Sequence, residues 1–235
     1  MDVGFLNTGS SLASSVRCCH NPGRPRRDRC GPSGRPLKNP QPPQEGEGQC
    51  LRLVELDRDH PGFRDSDYRE RRDVIARTAL DYHGGPPPRV DYTREEHGVW
   101  AEIWRHLSPL HERLAPRGYR SLCARLGFES DRIPQMEEVN QHLLPATGFQ
   151  MQPVAGLIEA EAFLSRLGGG VFLSTQYVRH PSTPLYTPEP DVVHELVGHT
   201  AMLAVPEWAE LNTLFGEADM RTQSEAAITR LGTVF

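Results

Sequence analysis

The sequence predicts a mainly α domain with a few short strands, preceded by a disordered tail. Three observations predict it. Apolar residues recur at three- to four-residue spacing in segments that carry helix-capping signals, extended runs are short and confined to residues 152–179, and residues 1–50 are dominated by Gly, Pro, Arg, Ser and Gln without any period. A chain of 235 residues is long enough for one domain burying about 70% of its unfolded surface. The formal net charge of −5 argues against a general nucleic-acid binder or a membrane-surface binder. No apolar run reaches the roughly 18 residues of a bilayer span. Residues 1–16 lack the charged start and apolar core of a secretory signal, so the expected location is cytoplasmic.

Residues 1–50 form the predicted tail, with too few apolar side chains to offset the entropy of ordering, and 51–235 form the predicted domain. Cys18, Cys19, Cys30 and Cys50 lie in the tail with His20. A zinc knuckle is one reading of them, but without a C-x-x-C pair a solvated tail with reduced thiols is favoured. The ordered chain is expected to start within Leu51 to Leu56. Ser66 to Tyr82 reads as a helix with a charged outer face around Val74, Ile75 and Ala79, ended by Gly84-Gly85-Pro86-Pro87-Pro88. Thr93 and Glu96 form a capping box, after which Val99, Trp100, Ile103, Trp104 and Leu107 place both tryptophans on a buried stripe. Further helices are expected over Tyr119 to Leu126 and Met136 to Leu144, with Cys123 packed among Leu122, Leu126 and Phe128. Pro153 to Ile158 reads as an extended stretch or tight loop, Glu161 to Leu167 as a short helix and Val171 to Thr175 as a strand. The glycines Gly168-Gly169-Gly170 between the last two lack the lysine and following helix of a phosphate loop.

The chemistry concentrates in Tyr186 to His199, YTPEPDVVHELVGH. Pro188 and Pro190 cannot sit inside a helix, so a helix is expected to begin near Asp191, a good N-cap acceptor, with His194 in its first turn. Neutral imidazole is the commonest ligand for a transition metal. His194-Glu195-x-x-x-His199 is one residue longer than the zinc-protease HExxH. Residues i and i+4 lie about 40° apart around a helix, but i and i+5 roughly 140° apart. The two histidines meet at one ion only if the helix is locally widened, as in a π-type turn, or ends near Gly198. The other arrangement is a pair of unconnected histidines, one capping and one packed.

The wording of the sequence adds to its spacing. Thr175-Gln176-Tyr177-Val178-Arg179-His180, Pro184 to Asp191 and His194 to His199 resemble the catalytic domain of the tetrahydrobiopterin-dependent aromatic amino acid hydroxylases. Further segments extend the resemblance upstream: Asp59 to Phe63, Tyr68-Arg69 with Arg71-Arg72, Val90 to Thr93, Ile133-Pro134-Gln135, Thr147-Gly148-Phe149 and Pro153 to Leu157. It runs from about residue 52 to Phe235 in the family's order. It implies a partial catalytic domain built as a helical basket with a few short strands, and monooxygenase chemistry with Fe(2+), tetrahydrobiopterin and O2 as co-substrate.

The resemblance also implies roles. His194 and His199 would hold the iron. Gly156, Leu157, Ile158 and Phe163 would hold the pterin, approached from the metal side by Glu195, which is implied as catalytic. Gly232 and Phe235 would lie near the pterin. Leu173 departs from the family, in which many members have a histidine near the cofactor. Arg179 would pair with the carboxylate of the amino acid, a fork matching two oxygens, and Thr187 and Pro188 would line the same pocket. Judged without the resemblance, Arg179 reads as a structural ion pair with Asp191 or Glu189. The family's third iron ligand is a glutamate in a W-F-T-V-E-F-G-like segment that would follow Phe235, so the chain is expected to be a fragment. Glu207, Glu210, Glu217 and Glu225 are candidate substitutes that match no motif.

The favoured function is hydroxylation of a small-molecule aromatic amino acid, L-phenylalanine to L-tyrosine, with tyrosine and tryptophan as alternative substrates. A non-catalytic pterin- or amino-acid-binding remnant is the second reading. The third is a zinc hydrolase with Glu195 as general base, against which the i,i+5 spacing counts.

Overall fold

The computed structural model describes residues 56–222. The tail cysteines, the start of the ordered chain before Leu56, Glu225, Gly232 and Phe235 lie outside the described residues. Helix α1, Ser66–Leu80, starts where the Asp65 carboxylate accepts the N–H groups of Asp67 and Tyr68, each at 3.0 Å. Helix α2, Arg94–Leu114, carries the expected capping box: Glu96 N–H donates to Thr93 Oγ1 at 3.2 Å and Thr93 N–H to the Glu96 carboxylate at 2.6 Å. It continues beyond the apolar stripe that ends at Leu107, passing through Pro109. Proline forfeits one hydrogen bond there, while Trp104 and His111, with ring centroids 6.2 Å apart, keep the later turns packed.

Helices α3, Tyr119–Arg125, and α4, Met136–Thr147, follow. Helix α4 stops at Gly148, whose φ of 82° suits only a residue without Cβ and whose N–H donates to Leu144 O at 2.9 Å. Strand β1, Gln150–Pro153, helix α5, Ala160–Gly168, and strand β2, Val171–Ser174, make one βαβ unit. Its strands pair in parallel from Gln150↔Val171 to Pro153↔Ser174. Strand β1 is absent from the sequence-based expectation because four residues of alternating burial are too short to show a period.

A π-helix, His194–Thr200, runs into a single turn, α6, Ala201–Leu203, and then α7, Pro206–Arg221. Helix α7 was not anticipated either. It leaves Trp208, Leu211 and Leu214 exposed, so its apolar residues do not mark one buried stripe. It packs on α5 at Gly216 and Gly168, where the backbones meet without side chains between them. One apolar cluster joins α2, α3, α4, both strands, α5 and the π-helix, with Trp100, Leu143, Leu167 and Ala201 wholly buried in it. Cys123 is buried, as its neighbours predicted. This cluster fixes the π-helix against the strands, beside the loop that leaves the carboxyl end of β1.

Candidate active site

The segment after β2 runs beside the approach to the π-helix. Val192 N–H donates to Tyr177 O at 3.0 Å and Thr175 Oγ1 to Pro190 O at 3.3 Å. Asp191, 1% exposed, sits at the junction. Its Oδ1 accepts His194 N–H at 3.0 Å, the capping bond the prolines predicted. The same carboxylate takes the Arg179 side chain, Nη2 to Oδ1 at 2.7 Å and Nε to Oδ2 at 3.0 Å, and the Arg179 backbone N–H at 2.8 Å. The ion pair that the residues alone suggested for Arg179 is therefore formed. Arg179 Nη1 also donates to Pro184 O at 3.3 Å. Among the described residues this leaves one N–H on each terminal nitrogen for a further acceptor.

Of the two arrangements open to His194 and His199, the structure takes the widened one. Ala201 N–H reaches Leu196 O, five residues back. Five-residue bonding brings i and i+5 onto one face, and the two Nε2 atoms lie 3.0 Å apart. The helix continues through Gly198 and does not end there. A Cβ at Gly198 would meet nothing within 4 Å, so the widening does not depend on a missing side chain at that position.

Burial and the neighbouring His194 push the His199 pKa down to about 4. Burial also lowers that of His194, where Asp191 pulls the other way. Both rings are therefore neutral, with lone pairs to give. Burial, helped by the charge of Asp191, raises the Glu195 carboxyl to about 8. Ligand atoms of His194, Glu195 and His199 lie within 4.8 Å of one another. Two nitrogens at about 2.1 Å from one ion, at a right angle, stand roughly 3.0 Å apart, so the donor set fits a transition metal. Glu207, Glu210 and Glu217 stay on α7 outside this cluster, and Glu217 pairs with Arg221.

A cavity of about 200 Å³ is lined by His194, Glu195 and His199 together with Gly156, Leu157, Ile158, Phe163 and Leu173. It lies at the carboxyl ends of the two parallel strands, where loops diverge and leave space. Its apolar, partly aromatic wall suits the face of a flat heterocycle. Phe163 packs on Phe172 at 5.7 Å between centroids, and Phe172 on His199 at 5.5 Å, so the cavity wall and the candidate ligand His199 share one support.

Arg179, Thr187 and Pro188 do not line this cavity. Thr187 Oγ1 donates to Glu189 O at 2.7 Å, and Glu189 is tied to buried Arg72 of α1 by a 2.8 Å ion pair. Arg72 in turn lies 4.3 Å over the Tyr177 ring. The loop that presents Thr187 and Pro188 is thus anchored from beneath. Sequence reasoning missed the joint role of Asp191, the support from Phe172, and the hydroxyl of Tyr119, which donates to Val197 O at 2.6 Å from 78 residues away. Only the cap position of Asp191 left a signal in the sequence.

A profile of the family described as biopterin-dependent aromatic amino acid hydroxylase matches residues 50–235. The chain is 45% identical to tyrosine 3-monooxygenase of Rattus norvegicus over 197 residues, covering 80% of this chain and 39% of that protein. It is 44% identical to phenylalanine-4-hydroxylase of Bos taurus over 187 residues, covering 77% of this chain and 41% of that protein. It therefore spans about two fifths of the length of these curated relatives. The crystal structure of Chromobacterium violaceum phenylalanine hydroxylase with bound iron(III) and 7,8-dihydrobiopterin is similar with a TM-score of 0.62 at 27% identity, over 70% of this chain and 60% of that one.

Proposed function

We propose, on the premise that this chain belongs to the biopterin-dependent aromatic amino acid hydroxylases, that it carries the histidine pair and pterin wall of an iron-dependent monooxygenase acting on the ring of an aromatic L-amino acid, L-phenylalanine first. The carrying observation is the π-helix that sets His194 Nε2 and His199 Nε2 3.0 Å apart beside Glu195. The similar bacterial structure holds iron and dihydrobiopterin, which supports Fe(2+) and tetrahydrobiopterin as the groups this site takes. When bound, they supply the electrons for cleaving O2, one oxygen atom going to the ring and the other to the pterin.

The residues of this chain bind, orient and exclude water. His194 and His199 give neutral nitrogen lone pairs to the metal. Phe163, Leu157, Ile158 and Gly156, which line the cavity beside the histidines, would hold the pterin. Glu195, buried beside the two histidines, would approach the pterin from the metal side. The two remaining N–H groups of Arg179 would be available to the substrate carboxylate, while Asp191 ties the guanidinium to the first turn of the helix that carries the histidines. Thr187 and Pro188 border the ring.

The test combines binding with turnover. Wild-type chain loaded anaerobically with Fe(2+) is expected to retain iron by elemental analysis, and His194→Ala and His199→Ala to lose it. Iron retained at the wild-type level by both variants would overturn the site. With tetrahydrobiopterin and O2, formation of L-tyrosine from L-phenylalanine supports the substrate assignment. Hydroxylation of L-tyrosine alone would move it to the tyrosine branch.

A further inference from the structure

The π-helix creates a problem that a side chain on another helix solves. Ala201 N–H bonds Leu196 O, five residues back, and α6 then returns to four-residue spacing. Such a return skips one carbonyl, the one following Leu196, so Val197 O has no place in either ladder. A buried carbonyl without a donor is unfavourable, and an ordinary α-helix would give it one. Tyr119 Oη donates to Val197 O at 2.6 Å. Tyr119 begins α3, is 6% exposed, and is held against His111 of α2 with ring centroids 4.8 Å apart. Buried Thr200 Oγ1 also donates to Glu195 O at 2.8 Å, within the π-helix itself.

We infer that Tyr119 is a positioning residue for the metal site: its hydroxyl satisfies the carbonyl left over by the π-turn and so favours the widened register in which His194 and His199 converge. Without that donor, Val197 O regains a partner most simply if the segment relaxes to four-residue bonding. That relaxation turns His199 away from His194 by roughly 140° in place of a shared face. Tyr119 touches neither metal nor substrate. It acts through the backbone of the helix that carries the ligands.

This inference rests on the metal site proposed above, and the experiment separates the two. Co(2+) alone is the probe, read by its visible d–d absorption and by calorimetric titration on the full chain. Tyr119→Phe removes only the hydroxyl. Thr147→Val serves as the control, because Thr147 Oγ1 donates to Leu203 O at 2.9 Å, a matched side-chain bond to a carbonyl one turn beyond the metal helix. Tyr119→Phe is expected to weaken Co(2+) about tenfold, within the range for residues that orient ligands, and to shift the d–d spectrum. Thr147→Val is expected to lower Tm comparably and leave both readouts at the wild-type level. Unchanged affinity and spectrum in Tyr119→Phe would overturn the inference. So would equal losses in the two variants, which would mean general destabilisation. If the wild-type chain binds no Co(2+), the metal site itself falls and this inference with it.

Discussion

Removing the Asp191 carboxylate tests the hub of the site. Four donors converge on it: the Arg179 Nη2 at 2.7 Å, Nε at 3.0 Å and backbone N–H at 2.8 Å, and the His194 N–H at 3.0 Å. Arg179 has a side chain only 10% exposed, so Asp191→Ala leaves a nearly buried guanidinium without its counter-charge. Removing one partner of such a pair typically costs about 3–5 kcal/mol. For a chain of this size each kcal/mol lowers Tm by about 2–4 °C, so the expected loss is about 6–20 °C. Asp191→Asn keeps the shape and one acceptor oxygen but turns an amide toward two donors. Its expected loss is smaller, about 2 kcal/mol, the order of leaving a buried donor unsatisfied. The assay is urea unfolding followed by circular dichroism, with the slope compared between variants. If Asp191→Ala lies within about 0.5 kcal/mol of wild type at unchanged slope, the carboxylate does not hold the junction and the account of Arg179 fails with it.

Arg179→Ala in the loaded enzyme should raise the KM for the amino acid much more than that for the pterin; equal rises would make Arg179 structural only. Gly216→Ala would place a Cβ 2.5 Å from Leu164 O and 2.6 Å from Gly168 Cα, both backbone atoms that cannot swing aside. The expected destabilisation is about 1–3 kcal/mol by chemical unfolding, and a neutral result would mean the α5 and α7 backbones are less closely packed. His60 is buried and accepts Gly62 N–H at Nδ1, 2.9 Å, beside Arg72. Burial, with the nearby Arg72 and His180, holds its pKa below the ordinary 6.5. The unfolded chain therefore binds a proton that the folded one refuses as pH falls through about 6.5. Stability is full above that point and declines below it, and His60→Asn should flatten the decline; an unaltered slope would assign it wholly to other histidines.

The sequence by itself determined the helical class and most helix starts, because caps and breakers act within a few residues. Asp65 and Asp191 accept the N–H groups that follow them, and Thr93 and Glu96 close their box. It also carried the family through its ordered series of segments, and singled out His194 and His199 as candidate metal ligands, which the structure places with Glu195 in one cluster. It could not choose between splayed and converged histidines, since a π-turn is stabilised by what surrounds it and not by its own residue spacing. Strand β1 and helix α7 escaped for a related reason: the first exists through its pairing with β2, and the second through its contact with α5. The tertiary structure alone decided that Asp191 would serve Arg179 and the π-helix together, and that Tyr119, 78 residues from Val197, would meet its carbonyl. Those contacts join parts of the chain that no local pattern relates, so only close packing of the whole domain brings them about.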